Sequence, residues 1–217
     1  MRTDRNDVAA SYNAAAMANE LLTSPAAERN KDPILTVLES VLPPSGSVLE
    51  IASGTGQHVC FFAAGMPHIR WQPSEPDAAH RAAIETRVRE AGLTNVEPPI
   101  ALDVHEPRWP VAPSYDAILC INMVHIAPWS ATNALCIGAA RHLSTGGKLV
   151  LYGPYLEQGT AVASNLDFDA TLKRRNQEWG LRDLEDVTRT AALHGLQRQQ
   201  VVRMPANNLI VVLSKTL

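Results

Sequence analysis

The sequence has 217 residues and a formal net charge of -3, so it carries no global basic field for a phosphate backbone, and nucleic acid is not expected as a partner. No apolar run approaches the roughly 20 residues needed to cross a bilayer, and no apolar signal-peptide centre follows Met1-Arg2-Thr3-Asp4-Arg5. A cytoplasmic location with no membrane contact is the expectation. Cys60, Cys120 and Cys136 are odd in number and far apart, and the seven histidines are scattered, so neither a disulfide framework nor a metal site is indicated.

Short apolar runs alternate with longer amphipathic ones, the pattern of a mainly parallel sheet covered by helices. Residues 1–44 read as an N-terminal helical cap whose helix runs from Pro33 to Leu42, with Asp32 as its cap and Pro43-Pro44 as its stop. Ser47–Ala52 reads as a first buried strand and Ile69–Pro73 as a second, with a helix between them. Asp77 is placed to cap the next helix, in which Ile84, Val88 and Ala91 share a face and Gly92 supplies the stop. Val96–Leu102 is a weaker third strand, interrupted by Pro98-Pro99, and Tyr115–Ile121 is a strong fourth. A helix from about Ser130 to His142 leads to a fifth strand, Gly147–Gly153.

An irregular insertion near 154–182 precedes a helix capped by Asp183 and ended by Gly195. Gln199–Met204 and Leu209–Leu213 are joined by a link too short for a parallel crossover, so the last strand must run antiparallel to the sixth. The expected fold is one α/β domain over 1–217: a Rossmann-like, doubly wound, seven-stranded sheet with an antiparallel last strand, its core at 45–217.

The first strand ends in Glu50-Ile51-Ala52-Ser53-Gly54-Thr55-Gly56, where the two glycines permit a tight turn and close approach to a ligand. A dinucleotide fingerprint needs a third glycine about where Val59 stands, which weakens a nicotinamide reading. Acidic residues follow successive strands. Glu75 lies about 20 residues past the glycines, where a carboxylate can accept both ribose hydroxyls. Asp103, beside Val104, could accept from an adenine amino group, and Glu50 could attract a cation. S-adenosyl-L-methionine, with an ammonium and a sulfonium, suits this acidic rim better than a pyrophosphate does.

The order of glycine loop, ribose acid and adenine acid, with an antiparallel last strand, resembles the class I methyltransferases. More narrowly, the chain is similar to the methyltransferase-like 26 family, also called domain of unknown function 938 or UPF0585. The resemblance rests on residues 24–30, Leu49 to His58, Trp71 to Asp77, Ile121 to Trp129, Tyr152 to Tyr155 and Met204 to Asn208. Glu75 and Ala127 depart from it, standing where Asp and Ser are usual. It implies a class I methyltransferase fold and supplies no substrate.

Methyl transfer is an in-line displacement for which the cofactor already carries the leaving group, so the protein must chiefly position the nucleophile and exclude water. Asn122 and Met123, after the fourth strand, are candidate cofactor contacts, and His125 is the candidate general base. Trp129, Tyr152, Tyr155, Asn165, Trp179, Asn207 and Asn208 are candidate acceptor contacts. Arg29, next to Asn30, could clamp a carboxylate on the acceptor or on the cofactor. The partners expected are a small-molecule methyl acceptor and, as one option, a second copy of the chain. The competing reading is a protein that keeps the fold and the cofactor without turnover.

Overall fold

The structure is a computed structural model, and it describes residues 23–112 and 114–216. Helix α1 spans Pro25–Val41; the Ser24 hydroxyl accepts from the Ala27 amide as its cap, and Pro25 fills the first turn. The helix therefore starts well before the Pro33 start read from sequence, and Pro33 lies inside it. An interior proline costs about 3 kcal/mol. Ile34 and Leu38, each 0% exposed, are buried on this helix against the sheet and offset that loss.

The remaining elements follow in order: β1 (Gly46–Ile51), α2 (Gln57–Gly65), β2 (Ile69–Pro73), α3 (Ala78–Glu90) and β3 (Tyr115–Ile121). Then come α4 (Trp129–His142), β4 (Leu143–Gly153), β5 (Tyr155–Leu156), α5 (Ala163–Arg175), β6 (Arg182–Asp183), α6 (Leu184–Ala192), β7 (Leu196–Met204) and β8 (Asn208–Lys215). Asp77 caps α3 by accepting from the His80 amide at 2.9 Å, and Asp183 caps α6 by accepting from Glu185. The insertion read as irregular in fact carries α5 and a small parallel pair, β5 with β6.

Among the described residues the main sheet has six strands in the order β2-β1-β3-β4-β8-β7, parallel except for β8, which runs antiparallel to both β4 and β7. The seventh strand expected at Val96–Leu102 is reduced to two isolated parallel bridges, Trp71 to Val96 and Ser74 to Ile100. Pro98 and Pro99 have no amide hydrogen, so the ladder breaks between the bonds Glu97 N to Trp71 O and Ile100 N to Pro73 O.

Alternation along the strands divides the core. Leu49, Ile51, Ile118, Cys120, Leu149 and Leu151 pack with α4 and α6, while Val48, Ala117, Leu119, Val150 and Tyr152 pack with α1 and α2. Since β1 has β2 on one side and β3 on the other, the winding reverses there, and the fold opens a crevice at the carboxyl ends of β1 and β3. Among the described residues no helix is long and apolar enough to cross a membrane.

Candidate functional site

The loop leaving β1 is held from below and from the side. The Glu50 carbonyl accepts from both the amide and the hydroxyl of Ser74, and Ser53 N donates to Ser74 O. Ala52 takes a left-handed φ of 54°, as do Gly54 at 55° and Gly56 at 82°. A side chain at Gly56 would press on Ile84 of α3, with Cβ 3.0 Å from its Cγ1, whereas Cβ at Gly54 would meet nothing within 4 Å. Gly56 is thus a packing requirement and Gly54 the open face of the loop.

Glu75, at the tip of β2, accepts from Gly54 N at 2.9 Å and from Asp77 N at 3.2 Å, so one carboxylate ties the glycine loop to the start of α3. From α3, Arg87 donates to the Thr55 carbonyl. Glu50 points into the α1–α2 side of the sheet; it is 2% exposed and its Oε2 has no hydrogen-bond partner. Burial pushes its pKa up to about 8, so the carboxyl is protonated at neutral pH.

Asp103 is exposed and does not touch the glycine loop. Its Oδ1 accepts from the amide of His105 and lies 2.9 Å from His105 Nδ1, and His105 Nε2 lies 3.0 Å from Ser130 Oγ. The backbone amide of His105 holds the Asp103 carboxyl below its usual range. Val104 beside it is buried, and its carbonyl accepts from Trp109 Nε1.

The chain leaves β3 through Asn122, whose φ of 62° an asparagine tolerates, and Asn122 N donates to Tyr152 O at 2.8 Å. Met123–His125 then forms a single 3-10 turn. It delivers His125 to a buried position, 1% exposed, where neither ring nitrogen has a partner. The ring stands edge-on to Tyr155 at 5.0 Å, and the Tyr155 hydroxyl is also buried without a partner. Gly153 makes this possible, since a Cβ there would fall 2.3 Å from His125 Nε2. Burial, reinforced by Arg182, lowers the His125 pKa to about 3, so the ring is neutral.

Other expected residues divide into those that converge and those that do not. Asn30 Oδ1 meets His58 Nε2 at 2.7 Å, and Asn30 and Arg29 both lie close enough to the Tyr152 hydroxyl to act on it, so α1 reaches from the start of α2 to the tip of β4. Ser24 N donates to Gln57 Oε1, and Gln57 donates to Glu28, which closes the same seam. The backbone next to Trp179 is tied to the His125 turn, since Gly180 N donates to His125 O. By contrast Asn165 donates to Asn207 O, and the Asn208 amide donates to the carbonyls of Pro205 and Ala206. These three asparagines serve the β7–β8 turn and α5, and no hydrogen bond joins them to His125.

Sequence reading missed Arg182. Its guanidinium donates to the carbonyls of Val124, Ala127 and Glu178 and lies over Trp129 at 5.8 Å, fastening the His125 turn to the segment before β6. No local pattern announces a residue two of whose three acceptors lie more than 50 positions away, at separations of 58 and 55. His58 and His105 were missed too; the spacing Asp103-x-His105 was the one available signal. Among the described residues no group of three or more His, Cys, Asp or Glu could hold a metal ion.

A reversed winding at β1, a glycine loop, acids at the following strand ends and an antiparallel last strand define the methyltransferase fold. Solved structures with that fold are similar to this chain. An O-methyltransferase family protein from Burkholderia thailandensis matches at TM-score 0.74 and 16% identity, over 87% of this chain and 57% of its own. CalO1, a methyltransferase in calicheamicin biosynthesis solved in an SAH-bound form, matches at 0.72 and 13%, over 97% and 61%. This chain therefore spans little more than half the length of those proteins. A protein from Bacillus halodurans described as a methyltransferase matches at TM-score 0.67 and 14% identity, over 84% of this chain and 99% of its own.

The particular family follows from sequence. The chain belongs to the family described as Protein of unknown function (DUF938), whose model matches residues 22–215.

Proposed function

We propose that this protein is an S-adenosylmethionine-dependent methyltransferase that acts on a small molecule by in-line transfer. The observation that carries the reading is the tip of β1: Gly54 leaves open space where a side chain would stand, and the two carboxyl groups beside it differ in kind. Glu75 is already engaged by backbone amides, whereas Glu50 offers a buried oxygen with no partner. A cationic ligand above that oxygen would favour its ionised form. The donor set therefore fits the cofactor. Glu50, Gly54, Gly56, Glu75, Asp103, Val104, Asn122 and Met123 would hold it, and the cofactor would supply an activated methyl group with its leaving group attached.

The chain's own part is to position an acceptor and exclude water. Arg29, Asn30, Tyr152, Tyr155, Trp129 and Trp179 are the proposed acceptor contacts, Tyr155 being the one against the His125 ring, with Asn165, Asn207 and Asn208 as outer ones. His125 is the proposed proton acceptor, since its ring is neutral and both nitrogens are unengaged. The similarity of the chain's segments to the methyltransferase-like 26 family supports the same reading. So does the presence of O-methyltransferases among the similar structures, the mitomycin 7-O-methyltransferase MmcR being one of them.

Calorimetric titration with S-adenosylmethionine and S-adenosylhomocysteine tests the proposal; absence of binding for both at millimolar concentration would end it. One observation favours a second reading, cofactor binding without turnover: a pKa of about 3 makes His125 a weak base in the free protein. Methyl transfer in a broad metabolite screen separates the two.

A further inference from the structure

The relay Asp103–His105–Ser130 has a fixed direction. A carboxylate can only accept, so His105 Nδ1, 2.9 Å from Asp103 Oδ1, carries the ring hydrogen. In the neutral ring Nε2 is then the acceptor, and the Ser130 hydroxyl, 3.0 Å away, donates to it. Oδ1 also takes the His105 amide, whereas Oδ2 has no hydrogen bond from any described residue. The Asp103 side chain is 56% exposed, so Oδ2 is accessible to a ligand.

The two ends of the relay stand on different parts of the sheet. Asp103 follows the edge segment that bridges Ser74 at Ile100, and Glu75 N donates to that same Ile100. Ser130 lies in the first turn of α4, after β3. The relay therefore links the two flanks of the crevice. Serine hydrolases use the same three side-chain types with the carboxylate buried and the hydroxyl as the working end. Here the order of exposure is reversed, and the carboxylate is the end left free.

We propose that His105 and Ser130 are positioning residues that hold Asp103 so that its Oδ2 accepts from the exocyclic amino group of adenine, setting the cofactor pocket's preference for adenine over hypoxanthine. This rests on the cofactor reading above. Hypoxanthine presents a carbonyl oxygen where adenine presents an N–H, so a fixed carboxylate attracts one base and repels the other. Without the imidazole the carboxylate keeps only the His105 backbone amide on Oδ1, and more of its ordering falls at the moment of binding.

The test is calorimetry on the full chain with S-adenosylhomocysteine and its hypoxanthine counterpart, S-inosylhomocysteine. Wild type should favour the adenine compound by at least about tenfold. His105→Ala should shrink that preference by roughly 3- to 10-fold, chiefly by weakening S-adenosylhomocysteine. His105→Asn, whose amide can still donate to Oδ1, should recover part of it, which a merely structural role would not require. His105 is exposed, so the variants should keep the wild-type unfolding midpoint. An unchanged preference in His105→Ala, or no recovery in His105→Asn, overturns the inference alone. Failure of wild type to bind either compound overturns it together with the cofactor reading.

Discussion

At the scale of single residues, the site is defined as much by atoms left without partners as by bonds made. His125 was legible in sequence as a histidine after a strong strand. Its surroundings were not, because Gly153 and Tyr155 come from the next strands and Gly180 from the segment beyond α5. Neutral at any pH above about 3, His125 gives the free protein no titration near 6.5, so the pH profile of kcat/KM should lack an acidic limb there. His125→Ala should leave S-adenosylhomocysteine affinity nearly unchanged and lower turnover roughly 100-fold. Product formation with an acceptor found by metabolite screening measures it, and equal activity would return His125 to packing.

At the scale of elements, most strands and the caps at Asp77 and Asp183 were readable, because buried alternation and capping are local signals. The start of α1 was misread because Asp32-Pro33 imitates a helix start, while the working cap is Ser24-Pro25. The third strand was overread because its apolar residues are real, but two prolines deny it a ladder. Arg182 shows what local reading cannot reach: one side chain joins the β3–α4 turn to the approach to β6 through three carbonyls. Arg182→Ala should cost about 1–3 kcal/mol, since those carbonyls lose a charged donor. Denaturant titration reads the loss, and hydrogen exchange should quicken at residues 123–129. An unaffected turn would show that Arg182 is dispensable there.

At the scale of the whole molecule, three groups among the described residues, the buried Glu50 and His125 and the half-buried His58, set opposing pH dependences. His58 is lowered to about 4 and His125 to about 3, mainly by burial, from an ordinary 6.5, so their stabilising effect is full above 6.5 and is lost as pH falls through the folded values. Glu50 is raised to about 8 from 4.5, so its contribution is full below 4.5 and is lost as pH rises toward 8. Between 4.5 and 6.5 the unfolded chain binds two imidazole protons and the folded chain one carboxyl proton, and stability rises with pH. Between 6.5 and 8 only the Glu50 difference remains, and stability falls by about 1.4 kcal/mol per unit at most. Unfolding free energies measured across this range should peak near pH 6.5, and Glu50→Gln should flatten the alkaline side. A wild-type curve still rising at pH 8 would contradict the assignment.

The position of β8 also bears on how the chain is made. It is the last strand in sequence, yet it lies inside the sheet between β4 and β7. While the protein is being synthesised, β4 keeps an open edge and β7 has nowhere to dock until β8 has emerged. On a crowded polysome a neighbour's β8 can fill the same slot, so strand exchange between nascent copies is the misassembly this topology invites.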